Sequence, residues 1–245
     1  MIDKLHIVYR ISERTAAGAK NKLVNASKIQ CMVNAVQTFA NADITVFADM
    51  VSDKFLLEIQ SICPTVTRIS CGSGGTSFRH AANFAMSFNS EDFVYLLEDD
   101  YLHLPNSLHI LLDGFSVGAD YVTLYDHPDK YVDGSSGGNP LVRDGGERTR
   151  LKLGQLSHWK ITNSTTMTFA TRVETLKSDW SVFLKYCGGD YTDDYRLFRH
   201  LAKWKRRQLV SSVPGYSTHC ELAFLSPLRD WVEGSTASYP CVDKH

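Results

Sequence analysis

Three carboxylates in a row, Glu98-Asp99-Asp100, follow directly on the apolar run Phe93-Val94-Tyr95-Leu96-Leu97. Adjacent anions repel one another unless something positive sits among them. Hard divalent cations take oxygen ligands, and Mg²⁺ or Mn²⁺ commonly bridges one or two carboxylates to substrate phosphates. An ion held this way neutralises charge on a departing diphosphate. The competing role is a solvated acidic turn at a strand end. A second acidic cluster, Asp190-Tyr191-Thr192-Asp193-Asp194, follows Gly188-Gly189 and leads into a helical pattern. A carboxylate there can take the proton from an attacking hydroxyl. It equally suits the first helical turn, where the dipole favours anions. The third piece is Pro214-Gly215-Tyr216-Ser217-Thr218-His219. Imidazole is a credible ligand for Mn²⁺ and less so for Mg²⁺, although a lone His more often serves structure.

Further polar residues surround these three pieces. Arg10 and Ser12 follow the first apolar segment, and a guanidinium pairs with phosphate or stacks on a base. Asp49 ends the second such segment, where it could equally cap the following turn. Gly72-Ser73-Gly74-Gly75, followed by Thr76-Ser77-Phe78-Arg79, would bring backbone N–H groups and Arg79 towards a diphosphate or sugar. Asn83 lies one helical turn beyond Arg79. The GxxxxGK[ST] loop is absent, and no GxGxxG follows the first segment, which disfavours a nicotinamide cofactor. His158-Trp159 and Asn163-Ser164-Thr165-Thr166 are candidates for an acceptor wall, since an indole can stack on a sugar face while amides and hydroxyls bond to its edges. Trp159 and Trp180 suit the core equally well. Lys203-Trp204-Lys205-Arg206-Arg207 could touch nucleic acid or an anionic membrane surface, and is read first as the solvated end of a helix, where cations suit the dipole.

These residues need elements to position them. Leu5–Tyr9 reads as a strand buried on both faces. Ala26–Ala40 has apolar residues at helical spacing. Asp43–Ala48 reads as a strand, Asp53–Ile62 as a helix capped by Ser52 or Asp53, and Val66–Ser70 as a strand. Gly72–Gly75 reads as a turn, Phe78–Phe88 as a helix and Phe93–Leu97 as the fourth strand. The order predicts a three-layer α/β/α fold on a mainly parallel, Rossmann-like central sheet. Such sheets bind ligands at the carboxyl ends of their strands. Arg10, Ser12, Asp49, Gly72–Gly75 and Glu98–Asp100 are therefore expected along one edge. The second half is less regular. Pro105–Phe115, Val173–Tyr186 and Asp193–Arg206 read as helices, and Asp120–Tyr125, Thr165–Thr171 and Leu209–Val213 as strands. Residues 126–154 read as one long loop, a length typical of a functional lid or a disordered segment.

The chain has 245 residues, 43% of them hydrophobic and 22% charged, with a net charge of −1. That balance suits a globular protein and disfavours a broadly basic nucleic-acid binder. No apolar run approaches the roughly 18 residues of a membrane span, so no transmembrane segment is expected. Met1–Lys4 lead straight into a strand-like segment, with no sign of a leader. The six cysteines show no CxxC pair. A zinc site is therefore disfavoured, and reduced thiols in the cytoplasm are expected.

An apolar fourth strand ending in Glu98-Asp99-Asp100 resembles the DxD motif of GT-A fold glycosyltransferases, with Glu in first place. The likeness extends over the first hundred residues in element order and over later segments through local motifs, and is similar to the family 2-like inverting enzymes. It implies a single GT-A-like catalytic domain over residues 1–245, with a nucleotide-sugar-binding half at 1–104 and an acceptor-binding half at 105–245. It implies a UDP- or GDP-sugar donor, a carbohydrate or other hydroxyl acceptor, and Mn²⁺ or Mg²⁺. By position, Asp100 corresponds to the direct metal ligand and Glu98 to the acid near the donor ribose or a metal-bound water, with Asp99 between them at the donor site. Asp49 lies where the family places an acid near the base, and Arg10 and Ser12 lie where the nucleotide docks. His219 matches a late His that closes over metal and diphosphate. Thr192-Asp193-Asp194 is similar to the "ED" element holding the general base, with Asp194 the better match and Asp193 the runner-up. A retaining enzyme would need no such base. Two other readings stay open. A sugar-phosphate nucleotidyltransferase usually carries a Gly-rich basic signature after the first strand, which Ala16-Ala17-Gly18-Ala19-Lys20 matches poorly. A non-catalytic nucleotide- or carbohydrate-binding module would need no base.

Overall fold

The structure is a computed structural model that describes residues 4–14 and 21–231. The segment Ala16–Lys20 and Cys241 lie outside the described residues. In chain order the elements are β1 (Leu5–Ser12), α1 (Lys28–Thr38), β2 (Asp43–Asp49), α2 (Asp53–Ile62), β3 (Val66–Ile69), α3 (Gly74–Ala85), β4 (Phe93–Glu98) and β5 (Tyr101–His103). There follow α4 (Ser107–Ser116), β6 (Tyr121–Thr123), β7 (Leu151–Leu153), β8 (His158–Thr162), β9 (Phe169–Arg172), α5 (Val173–Tyr186), α6 (Asp194–Trp204), β10 (Leu209–Val213) and β11 (Ser217–His219).

One sheet has the strand order β3-β2-β1-β4-β9-β6-β10-β8-β7. Seven of its nine strands run the same way, and β9 and β8 run against them. The expected three-layer, mostly parallel α/β architecture is observed. Its cause is visible in β1, which is buried along nearly its whole length. Leu5, Ile7, Tyr9 and Ile11 point to the face covered by α1, α2 and α4, while Val8 joins Val94 and Leu96 on the face covered by α3, α5 and α6. Alternate residues of a strand serve opposite faces, so a central strand must be apolar throughout. Ser27 and Gln30 form a capping box at α1, and Ser52 caps α2 by accepting from the Phe55 amide.

The structure departs from expectation in several places, most of them in the second half. Gly74 and Gly75 already belong to α3, capped by Ser73, and the helix ends at Ala85. The expected strand at Thr165–Thr171 forms only from Phe169. Strands β5, β7, β8 and β11 were not expected. In β8 a buried Lys160 interrupts the apolar pattern, and in β7 Leu151 and Leu153 face solvent. The stretch 126–154 is not one open loop. It contains short 3-10 turns at Pro128–Tyr131 and Gly134–Ser136 and ends in β7. Two buried ammonium groups pin it. Lys160 Nζ lies 2.7 Å from Asp126 Oδ1, and Lys130 Nζ donates to Asn163 Oδ1 at 2.8 Å and Ser164 Oγ at 2.5 Å. Among the described residues, no helix is long and apolar enough to cross a membrane.

Candidate active site

Parallel register brings the first group of polar residues together. Arg10 of β1 lies opposite Glu98 of β4, and Ser12 opposite Asp49 of β2, all at the carboxyl ends of their strands. These residues, with Gly74, Asp99 and Asp100, line a cleft of about 590 Å³. The expected clustering along one sheet edge is therefore observed.

The three acids are held differently. Glu98 Oε1 accepts from Arg10 Nη2 at 2.6 Å, and Arg10 Nη1 reaches the Gly74 carbonyl at 3.3 Å. Burial raises the Glu98 carboxyl above the ordinary range, Arg10 opposes the rise, and the charges of Asp100 and Asp99 add to it. Asp99 Oδ2 accepts from the Ser12 amide and lies 2.9 Å from Lys28 Nζ, which also donates to the Ser12 carbonyl at 2.7 Å. Asp99 thus fastens the end of β1. Asp100 Oδ2 lies 3.0 Å from His219 Nε2 and 3.9 Å from Lys22 Nζ. Burial works to raise Asp100, but the His219 hydrogen bond, with the charges of Lys22 and Lys28, brings it below its ordinary value. β11 pairs antiparallel with β5 and sets His219 opposite Tyr101, beside Asp100.

The donor set suits an open cation site: one carboxylate with a neighbouring imidazole, leaving further positions to phosphate and water. Among the described residues, no three Asp, Glu, His or Cys side chains converge as a closed cage. The His219 ring has a further constraint. Its Nδ1 accepts from the Glu221 amide at 3.2 Å, which places the proton on Nε2, facing Asp100. To ligate through Nε2, the ring must carry its proton on Nδ1 instead and release that amide.

The remaining residues of the donor side divide. Asp49 lines the cleft, and its Oδ1 also accepts from the Cys71 amide at 2.7 Å and the Gly72 amide at 3.3 Å. It therefore secures the turn in which Gly72 adopts φ +73°. Gly75 does not offer its amide to a ligand, because that N–H donates to the Asp190 carbonyl at 3.0 Å. A side chain at Gly75 would collide with the Gly189 carbonyl, so glycine is required for α3 to abut the 187–190 loop. Arg79 points along its own helix to Thr76 Oγ1 at 3.1 Å and is not in the cleft wall.

A second cavity of about 260 Å³ is lined by His127, Asp129, Asn139, Ser164, Thr165, Thr166 and Asp194. Thr166 hydrogen-bonds Tyr101, whose ring meets that of His219 edge-on at 5.5 Å, so the cavity adjoins the Asp100 side of the cleft. Burial pushes the Asp194 carboxyl up to about 6, with Lys130 opposing. Asp193 serves instead as the cap of α6. It accepts from the Arg196 amide at 3.0 Å and lies 3.3 Å from the Arg196 Nε, so it does not fit the role of base. Trp159 also departs from expectation. It is fully buried, its Nε1 donating to Asp113 Oδ2 at 2.9 Å, and it is a core residue rather than an acceptor wall. Asn163 takes a hydrogen bond from Asn139 at 3.0 Å as well as from Lys130, at the boundary of this second cavity. Sequence reasoning missed Lys28, Tyr101, His127, Asp129 and Lys130. The signal was there in the ionisable run Asp126-His127-Pro128-Asp129-Lys130, which is too rich in charge for a mere connector.

No protein-family model matches the sequence, and no curated protein is similar to it at a significant level. Solved structures do match. CMP:2-keto-3-deoxy-manno-octonic acid synthetase complexed with CTP is similar over 87% of this chain and 92% of its own, at 12% identity and a TM-score of 0.51. Residues 1–349 of S. aureus TarS are similar over 87% of this chain and 59% of theirs, at 14% identity and a TM-score of 0.51. The 4-diphosphocytidyl-2C-methyl-D-erythritol synthase of Anaerococcus prevotii is similar over 86% of this chain and 87% of its own, at 12% identity and a TM-score of 0.49. The chain has the nucleotide-diphospho-sugar transferase fold. This is a GT-A-like architecture, and at these identities the likeness extends to the fold alone.

Proposed function

We propose that the protein is a transferase that takes a nucleotide-diphosphate sugar in the strand-end cleft and passes the sugar to an acceptor hydroxyl in the adjoining cavity. The observation that carries this reading is Asp194. It is a carboxylate raised to about 6, facing a small polar cavity that adjoins the Asp100 cleft. A hydroxyl must lose its proton as it attacks, and a base poised near neutral pH does this best. Asp194 would take that proton, and attack from the cavity side would invert the anomeric carbon. Arg10, with Glu98 ordering its guanidinium, would bind the nucleotide beside Ser12 and Asp49. Asp100 would hold Mn²⁺ or Mg²⁺, with His219 orienting its carboxylate or joining it as a ligand. An ion bound there would supply charge neutralisation for a departing diphosphate.

A second reading is nucleotidyl transfer to a sugar phosphate or sugar acid. The shared fold with the CTP-bound synthetase favours it, and on fold likeness by itself it leads. Lys22 and Lys28 beside the acids also suit a triphosphate. The two chemistries differ in what the acceptor must lose. A phosphate or carboxylate nucleophile is already an anion and needs no base, whereas Asp194 and Asp129 both face this cavity, with Lys130 behind its wall at Ser164. Purified protein with Mn²⁺ and a panel of nucleotide sugars and acceptors tests this directly. Release of nucleoside diphosphate that is abolished in Asp100→Ala supports glycosyl transfer. Release of pyrophosphate from a nucleoside triphosphate and a sugar phosphate supports the second reading. Binding with no turnover would leave a non-catalytic module.

A further inference from the structure

A groove of about 630 Å³ runs along α6, beyond the Asp194 cavity. Its walls carry Arg148, Arg196, Arg199, His200, Lys203 and Trp204. Positions 196, 199, 200 and 203 recur at helical spacing, so one face of α6 presents all four. Arg196 is satisfied by Asp193. Among the described residues, Arg199 donates only to the phenol of Tyr195, at 3.2 Å, and Lys203 lies 4.9 Å from the ring centre of Trp204. Among the described residues, Arg148, Arg199 and Lys203 form no ion pair with a carboxylate. Glu147, the acid in the wall, is committed to Thr162 at 3.1 Å and lies 3.7 Å from Lys160. Trp204 is 68% exposed in the groove wall, where its indole can stack on a flat, partly apolar ligand.

The groove is joined to the site already described. Asn163 lies in its wall and bonds to Asn139, which lines the Asp194 cavity. One helix thus starts with the proposed base and continues, over about 14 Å of axial rise to Lys203, as a basic face that ends at the exposed indole of Trp204, with Lys203 over one side of the ring. We propose that this groove holds an acidic oligosaccharide, the chain of the acceptor extending away from the hydroxyl that reacts. Carboxylates spaced along the chain meet Arg148, Arg199 and Lys203, and a sugar face stacks on Trp204. The groove meets the acceptor cavity at the Asn139–Asn163 hydrogen bond and shares no lining residue with the nucleotide cleft, which favours a glycan over a nucleic acid. This inference rests on the glycosyl-transfer reading for its biological meaning, but its test does not.

The test is calorimetric titration of the full chain with oligogalacturonate fragments, with no donor and no metal present, alongside quenching of tryptophan fluorescence. Neutral maltooligosaccharides and a single-stranded oligonucleotide serve as the other arms. The expected result is oligogalacturonate binding that weakens as salt rises. It falls about tenfold or more in Arg199→Glu/Lys203→Glu. It also falls in Trp204→Ala, which leaves the charges in place. Thermal melts confirm that each variant is folded. Maltooligosaccharides binding as tightly would overturn the charge argument. Tighter binding of the oligonucleotide, or no oligogalacturonate binding by the folded wild-type chain, would overturn the proposal. Because no turnover is measured, a failed transferase reading leaves this result standing, and the reverse also holds.

Discussion

Replacing Asp194 by Asn should stabilise the protein and silence it. The Asp194 carboxyl titrates at about 6 in the fold, against an ordinary value of 3.8. A gap of about two units corresponds to about 3 kcal/mol between its protonated and ionised forms. The folded state therefore binds this proton more tightly than the unfolded chain does. The resulting stability is fully present below pH 3.8 and is lost as pH rises through about 6. Asn mimics the protonated form and loses nothing. Asp194 is partly exposed, so solvent screening lowers the ceiling, and we expect a net gain of about 1–2 kcal/mol at neutral pH and above. Urea unfolding of both proteins across this range measures it. The stability difference should be near zero at acid pH, open between pH 4 and 6, and plateau above. Transfer should fall by about 10²–10⁴, the usual share of a general base. Wild-type turnover should lose activity on the acid side with a midpoint near 6. A stability difference that is flat across the range, or an Asn variant with full turnover, refutes the reasoning.

Other changes have equally definite outcomes. Asp100→Ala should remove metal-dependent nucleotide binding, seen as identical calorimetric affinities with and without Mn²⁺. Gly75→Ala should destabilise by about 1–3 kcal/mol, because the new methyl meets the Gly189 backbone rather than a yielding side chain, and chemical denaturation reads this. Lys160→Met should cost about 3–5 kcal/mol, since it strands the fully buried Asp126 without its cation. If its stability matches the wild type, the Asp126–Lys160 pair does not pin the 126–154 segment.

The donor half was legible because its chemistry and its packing use the same pattern. Apolar strands β1, β2 and β4 each end in polar residues, and parallel order puts those ends side by side. The motif could not say which acids were already occupied. Only the fold shows Arg10 and Lys28 neutralising Glu98 and Asp99, leaving Asp100 to His219. The acceptor half was harder because buried charges break the periodicity on which strand recognition depends. Lys160 hides β8, and Lys130 disguises an anchored segment as an open loop. Asp193 and Asp194 are indistinguishable by type and differ only in where the helix begins. Trp159 could stack on a sugar or fill a core. Asp113, forty-six residues away, decides for the core.

The central claim is that a cation at Asp100 holds a nucleoside diphosphate within reach of Asp194. A crystal structure of the protein with a nucleoside diphosphate and Mn²⁺ tests it most directly, by anomalous scattering from the metal. The account predicts a peak at ligating distance from the Asp100 carboxylate, bridged to the diphosphate, with the nucleoside between Arg10 and Asp49. A diphosphate bound elsewhere, or a metal peak with Asp100 still bonded only to His219, would contradict it.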